Sequence, residues 1–338
     1  MDEDTIVRKI TSKLKRPKYM VSNFNDDAEV LDVRINKDEL LLEKIDTANE
    51  GIDFPWEAPA WMGAYVSTAQ SMSDIAACGG DMFGVSTSIC VPDDVTEKYV
   101  LDFSRGIKLS AEKVGTFVLG GDYNSANDFS LSVVSMGKAK KNNLLTRNGA
   151  SQGDFIGLTG ELGRFNAGYF YYHDGIRNQD VYRKMLVQDP RLKEGKLLGE
   201  SRKVSSCTDV PDGLIRCLKF LTKGAVIYDE SIPLSKEAKK IAERKNMKPY
   251  QIASIPAGDL ELVFTTSPKN KPAMDNIFKK ENLELSWIGR VTGDDSIKVA
   301  GHGYEEVAKK IGYVHGHGNM LFASGKDARR EAMKRYGD

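Results

Sequence analysis

Apolar residues in the first half of the chain follow two arrangements, one typical of strands and one typical of helices. Together they predict alternating strands and helices. In residues 38–46 aliphatic side chains cluster before Asp46, as in a buried strand that ends at a polar residue. In residues 58–81 apolar side chains recur every three or four positions, and Gly79 and Gly80 provide a helix stop. The predicted strands are 38–46, 83–92, 116–121 and 129–139; the predicted helices are 5–16, 58–81 and 94–115.

A glycine-rich segment, LGGDYNSAND at 119–128, begins at the end of the third of these strands and leads into the fourth. Its turn-forming residues predict a hairpin, with Asp122 in the turn. The same residues also fit a site at which backbone N–H groups and a carboxylate meet a phosphate and its metal ion. The sequence leaves both interpretations open.

A turn-rich segment, 146–154, predicts a boundary between two domains, 1–145 and 146–338. We expect an α+β fold, with helices on one face of a mixed N-terminal sheet and a C-terminal α/β domain. The second half is predicted as a strand at 155–163, a helix from Arg164, exposed helices in 176–203, a turn and helix in 205–224, a helix capped by Ser235, a strand at 257–268, a β-rich stretch at 284–320 and a solvated C-terminal helix.

Composition narrows the functional classes. The 338 residues carry 48 basic and 48 acidic side chains, so no basic excess favours nucleic acid as a partner. Four cysteines form no C-x-x-C pair, and His315 and His317 lack a neighbouring third ligand, which argues against zinc. The N-terminus has no apolar signal region and no stretch is long enough to cross a membrane, so we expect a cytoplasmic protein.

Aspartates recur beside predicted element ends. Each one alone is accounted for as a helix cap or a turn residue. Asp74 fits those roles poorly, because it lies inside a predicted helix, on the same face as Ser67 and Gln70; an exposed face is the alternative. Many carboxylates without matching His or Cys suit Mg²⁺ and phosphate, although no P-loop motif is present. The aspartates are Asp26, Asp27, Asp46, Asp74, Asp122, Asp209, Asp212 and Asp259.

The order of the aspartate motifs resembles that of the thiamine-monophosphate kinase family, within the superfamily of aminoimidazole ribonucleotide synthetase and selenophosphate synthetase. The resemblance covers about residues 20–320. The most specific pieces are SDIAACGGD and RNGASQGDFIGLTGELG. The motifs are NDDAEVL, IDTANEGIDF, SMSDIAACGGD, LGGDYNS, TRNGASQGDFIGLTGELG, TDVPDGL and GDLELVFT.

The resemblance implies an ATP- and Mg²⁺-dependent kinase that phosphorylates thiamine monophosphate to thiamine diphosphate. It also implies a homodimer whose N-terminal sheets pair into a barrel, with ATP near the interface. The implied metal ligands are Asp26, Asp27, Asp46, Asp74, Asp122, Asp209 and Asp212, of which Asp209 and Asp212 are catalytic. The implied ATP-binding residues are Asp46, Thr47, Gly120, Gly121, Asp122 and Arg147, and the implied substrate residues are Asn49, Glu50, Asp53, Phe54 and Tyr313.

Residues that differ from the family pattern lie mainly in the part of the sequence that the resemblance assigns to the phosphoryl acceptor. Asp53 stands where the family has His, Pro211 where it commonly has Ser, and Tyr313 near the position of a common Trp. An enzyme of the same superfamily with a different acceptor is therefore an alternative. A nucleotide-binding but inactive dimer is a second.

Overall fold

The computed structural model describes residues 21, 27–32, 37–255, 258–308, 322 and 325–334. The N-terminal part forms a five-stranded sheet in the order β1-β2-β5-β3-β4, in which only β3 and β4 run parallel. Its strands are β1 (Glu29–Leu31), β2 (Glu39–Asn49), β3 (Asp81–Val91), β4 (Val118–Ser125) and β5 (Ser130–Lys140), and its helices are α1 (Ala60–Ala77) and α2 (Glu97–Lys113).

Helix α1 lies at the centre of the molecule. It occupies the span predicted from helical periodicity, and nearly all of its side chains are buried, including that of Asp74. It packs on β2 and β5 of the first sheet, on α2, and on β7 of the second sheet. The exposed face considered for Asp74 is therefore wrong, because this helix is covered by protein on several sides.

The predicted hairpin around Asp122 is also wrong. Residues 118–125 form the edge strand β4, which pairs in parallel with β3, while β5 lies between β2 and β3. Asp122 is thus within a strand and pairs with Ser88. Local turn chemistry indicated a break between two strands, but long-range pairing decided which strand each one joins.

A seven-stranded mixed sheet in the order β12-β11-β8-β10-β6-β9-β7 dominates the C-terminal part. Its strands are β6 (Phe155–Thr159), β7 (Val204–Asp209), β8 (Ala225–Tyr228), β9 (Leu262–Thr266), β10 (Leu285–Val291), β11 (Ile297–Gly301) and β12 (Tyr304–Val307). The two sheets support a mixed α+β fold. The exact domain boundary stays a prediction.

Helices cover the second sheet, and two predictions about them need correction. The predicted exposure of residues 176–203 is wrong, because two helices pack there and bury Met185, Leu186 and Leu198. Residues 204–209 form a strand rather than a turn. Ser235 does accept the capping hydrogen bond from the Ala238 N–H. The helices are α3 (Arg164–His173), α4 (Gln179–Leu186), α5 (Leu192–Ser201), α6 (Leu214–Leu221), α7 (Lys236–Lys245), α8 (Pro249–Ile252) and α9 (Lys271–Lys280).

The last described element, α10 (Lys326–Met333), returns to the N-terminal part. Ala332 and Met333 join the core beneath the first sheet, and Arg329 is buried. The expectation of a solvated helix is wrong, because its buried charge has partners far away in the sequence. Across the described residues, no helix is both long and apolar enough to span a membrane. The predicted helix at 5–16 and part of the predicted 284–320 stretch lie outside the described residues.

Candidate active site

A polar pocket lies where the end of β2, the middle of α1 and the end of β7 meet. Strand β2 contributes Lys44 and Asp46 from one face, since alternate strand residues point the same way. Helix α1 contributes Ser67, Gln70 and Asp74, which share a face at helical spacing. The remaining lining residues are Thr47, Ala48, Asp53, Arg147, Asp209, Pro211, Asp212 and Arg216.

Three buried carboxylates meet beside this pocket. One oxygen from each of Asp27, Asp74 and Asp209 lies within 4.8 Å of the others. Asp27 Oδ2 and Asp209 Oδ1 are buried without a hydrogen-bond partner among the described residues. Buried carboxylate oxygens with free lone pairs at this spacing fit a hard divalent cation such as Mg²⁺.

Lys44 extends its ammonium group into the carboxylate cluster. Its Nζ lies 3.1 Å from Asp74 Oδ1 and 3.3 Å from Asp46 Oδ1. Burial would lower the pKa of Lys44, but Asp74 and Asp46 outweigh it, so the pKa is raised and the side chain stays charged. The ammonium therefore supplies positive charge where carboxylates are crowded.

Arg147 supplies a second fixed positive charge. Its Nη2 donates to Asp27 Oδ1 at 2.6 Å, and the Thr208 hydroxyl donates to the same oxygen at 2.8 Å. The guanidinium also lies over the Phe220 ring, 4.4 Å from its centroid. These contacts fix Oδ1 of Asp27, while Oδ2 is buried without a hydrogen-bond partner among the described residues.

Crowding and burial disfavour charge on two of the carboxylates. Burial is the largest cause of a raised pKa at Asp209, followed by repulsion from Asp27, and together they bring that pKa to about 7. Burial also raises the pKa of Asp74 well above its usual range, against the pull of Lys44. Shifts of this kind, caused by burial plus like charges in a cleft, are typical of functional sites and of carboxylates that bind a cation.

The segment after β2 contributes one side chain to the lining of the pocket. Asp53 lines it and accepts a 2.7 Å hydrogen bond from the Asn49 N–H. Phe54 instead lies in an aromatic core with Phe103 and Phe129, and its side chain is not among the pocket-lining residues. Glu50 is buried and does not line the pocket. Its carboxylate accepts hydrogen bonds from the backbone N–H groups of Phe129 and Gly325. Of the expected substrate residues that the structure describes, only Asp53 lines the pocket.

Several expected site residues lie elsewhere. Gly120, Gly121 and Asp122 are exposed on the edge strand β4, three strands away from Thr47 along one row of the sheet. At about 4.8 Å per strand, this is roughly 14 Å between backbones. Asp26 and Tyr313 lie outside the described residues, as do His315 and His317.

Sequence reasoning missed four residues of this site: Lys44, Thr208, Arg216 and Phe220. Lys44 had a readable signal, because it precedes Asp46 by two positions and therefore shares its strand face. Arg216 also had one, because it follows Asp212 by four positions and its Nε lies 3.2 Å from Asp212 Oδ2. Thr208 and Phe220 carry no local pattern that separates them from core residues.

Comparisons with known proteins find relatives of this chain that agree with one another. The family model described as AIR synthase related protein, N-terminal domain, matches residues 25–139. Thiamine-monophosphate kinase of Pyrococcus horikoshii is 28% identical over 290 residues, which are 84% of this chain and 88% of that protein. The thiamine-monophosphate kinase of Buchnera aphidicola subsp. Schizaphis graminum is 29% identical over 314 residues, 89% of this chain and 94% of that protein.

The fold also has solved counterparts. The structure of AaThiL complexed with AMPPCP and TMP superposes with a TM-score of 0.78 at 23% identity and covers 93% of this chain and 97% of that chain. The likeness extends over both sheets, so the architecture described above is that of a known fold.

Proposed function

We propose that this chain, which belongs to the thiamine-monophosphate kinase family, transfers the γ-phosphoryl group of ATP to the phosphate of thiamine monophosphate. The product is thiamine diphosphate. The observation that carries the proposal is the buried cluster of Asp27, Asp74 and Asp209 beside Lys44 and Arg147. A related protein of the same fold binds AMPPCP and TMP, an ATP analogue and an acceptor of this chemistry.

The carboxylates would hold Mg²⁺. Asp27, Asp74 and Asp209 form the inner group, and Asp46 and Asp212 lie along the same pocket. A bound Mg²⁺ would supply positive charge that stabilises the negative charge developing during phosphoryl transfer. We assign Asp209 and Asp212 the catalytic roles, because both line the pocket at the end of β7 and in the turn that follows it.

The basic side chains position the phosphates. Lys44, Arg147 and Arg216 all line the pocket and bring positive charge to a site that must bind the phosphate groups of two substrates. Thr47 adds a hydroxyl on the same wall, where it hydrogen-bonds Ser132 at 2.8 Å. The acceptor is already an anion at neutral pH, so catalysis requires positioning and charge stabilisation rather than a strong base.

A homodimer would complete the ATP site. The edge strand β4 and the residue before it expose large apolar side chains: Phe117, Val118, Leu119 and Tyr123. Among the described strands β4 pairs only with β3, and an open apolar edge of this kind pairs readily with another chain. In that arrangement Gly120, Gly121 and Asp122 serve the phosphates of the partner's pocket, which accounts for their distance from their own. The cytoplasmic location stays a prediction.

The acceptor is the part of the function that most needs an experiment. Purified protein is incubated with ATP, Mg²⁺ and thiamine monophosphate, and thiamine diphosphate is quantified by chromatography. Formation of thiamine diphosphate that stops on chelation of Mg²⁺ supports the proposal. Turnover of ATP only with another acceptor would instead assign Asp53 and Pro211 to a different substrate, and binding of ATP without any turnover would indicate an inactive dimer.

A further inference from the structure

A buried ion pair joins the C-terminal helix to the segment that follows β2. Arg329 is 2% exposed and Glu50 is 6% exposed, and their Nη1 and Oε1 atoms lie 2.6 Å apart. Arg329 Nε also donates to Asp94 Oδ1 at 2.8 Å. Buried charges that pair this closely fix the relative position of the two segments that carry them.

Further contacts reinforce the same junction. The Gly325 N–H donates to Glu50 Oε1 at 3.1 Å, and the Phe322 N–H donates to the Gly51 carbonyl at 2.7 Å. At the other end of α10, the sulfur of Met333 accepts from the Thr96 N–H and hydroxyl. Three separate points of the C-terminal segment therefore hold residues 50–51 and the start of α2.

Residues 50–51, which the C-terminal segment holds, are close in the chain to Asp53, which lines the pocket. The Glu50 N–H donates to the Phe129 carbonyl at 3.1 Å, and Glu50 Oε2 accepts from the Phe129 N–H at 3.0 Å. One residue earlier, the Asn49 N–H donates to Asp53, which lines the pocket. Glu50 is thus the chain neighbour of the residue whose N–H holds Asp53.

We propose that α10 is a clamp on residues 49–54, with Arg329 as its positioning residue. Arg329 orders this segment so that Asp53 faces the phosphoryl acceptor, while separate contacts hold the carboxylate cluster of Asp27, Asp74 and Asp209. The assignment of the segment to the acceptor rests on the proposed function. The clamp itself rests on the ion pair and the backbone hydrogen bonds.

Hydrogen–deuterium exchange on the full chain tests the clamp independently of any activity. In Arg329→Met we expect amides in 48–56 to exchange at least about tenfold faster, with strand residues 39–46 unchanged, because exchange reports local opening. Arg330→Met is the matched control, since that side chain is 75% exposed and pairs only with exposed Asp327 among the described residues. Arg329→Lys keeps the buried charge and should give intermediate protection.

Kinetics then tests the link to the acceptor. In Arg329→Met we expect KM for thiamine monophosphate to rise about 10- to 100-fold, since small misplacements of binding groups have effects of this size, with KM for ATP within about twofold. Unchanged exchange in 48–56, or faster exchange throughout 39–56 with both KM values raised alike, would overturn the clamp. Faster exchange confined to 48–56 in a protein that does not use thiamine monophosphate would support the clamp and refute the proposed function.

Discussion

Asp209 occupies the end of β7, where its carboxylate meets those of Asp27 and Asp74. Replacing it with Asn keeps the shape and removes the charge that would hold a cation. We expect Asp209→Asn to lower turnover at least about 100-fold, since charge stabilisation by a bound metal is worth several kcal/mol. The control is Asp180→Asn, whose side chain is 72% exposed in a surface ion pair. Turnover of Asp209→Asn near that of the control would refute the catalytic role.

The raised pKa of Asp209 predicts a proton released on metal binding. With a pKa of about 7, the carboxyl is mostly protonated at pH 6 in the metal-free protein, and a cation requires it deprotonated. Affinity for Mg²⁺ should therefore rise with pH and level off above about 7. Calorimetry in buffers of different ionisation enthalpy measures the proton release, which should be smaller in Asp209→Asn, where Asp74 remains as a carboxyl with a raised pKa. Equal release in both proteins would place the titrating group elsewhere.

The raised pKa of Asp209 also predicts whether the stability of the metal-free protein rises or falls with pH. The folded-state pKa lies above the ordinary value of 3.8, so between these two pH values the native state binds more protons than the unfolded chain. The free energy of unfolding of the metal-free protein should then fall as pH rises from about 4 to 7, as far as Asp209 contributes. Denaturant unfolding at several pH values measures this slope, which should be smaller in Asp209→Asn.

Single residues also show how far sequence reasoning reaches. Five aspartates that the family resemblance names lie in or beside one pocket, and their role as metal ligands stays a prediction; they are Asp27, Asp46, Asp74, Asp209 and Asp212. Lys44 was missed because a lysine on a strand is usually solvated, and only the fold shows that its ammonium reaches buried Asp74. Burial of a charge depends on partners that no local pattern specifies.

Among the elements, α1 forms one wall of the pocket and depends on a close crossing with α2. A Cβ at Gly106 of α2 would lie 2.0 Å from the Trp61 carbonyl oxygen of α1. That backbone cannot move aside as a flexible side chain would.

We therefore expect Gly106→Ala to lower the free energy of unfolding by roughly 2 kcal/mol, although Ala favours a helix by about 1 kcal/mol over Gly. Denaturant unfolding measures the change. Lys108→Ala, at an exposed position of the same helix, should stay within about 0.5 kcal/mol of the parent. A stabilised Gly106→Ala would show that the two helices are not in close contact.

Elements differ in how far the sequence predicts them. Helix α1 and the Ser235 cap were predictable because helical periodicity and capping are local. The pairing of β4 with β3, rather than with β5, was not, since strand order depends on contacts between distant residues. The burial of α10 was missed for the same reason, because Arg329 and Glu50 are 279 positions apart.

At the scale of the whole molecule, the proposed dimer makes a prediction about which chain supplies Asp122. If Asp122 serves the partner's pocket, Asp122→Asn and Asp209→Asn are each inactive alone. When the two variants are mixed and allowed to exchange subunits, half of the dimers are mixed and each holds one intact site. We expect about a quarter of parent activity to return. Recovery of none, with subunit exchange verified, would place Asp122 in its own chain's site or outside any site.

The proposed function places the metal ion of a phosphoryl transfer to thiamine monophosphate on Asp27, Asp74 and Asp209. Crystals grown with Mn²⁺, a non-hydrolysable ATP analogue and thiamine monophosphate give an anomalous signal that locates the metal directly. We expect a peak within coordination distance of these three carboxylates, with the acceptor phosphate between the metal and residues 49–54. A metal bound away from all three, or an acceptor outside this pocket, would contradict it.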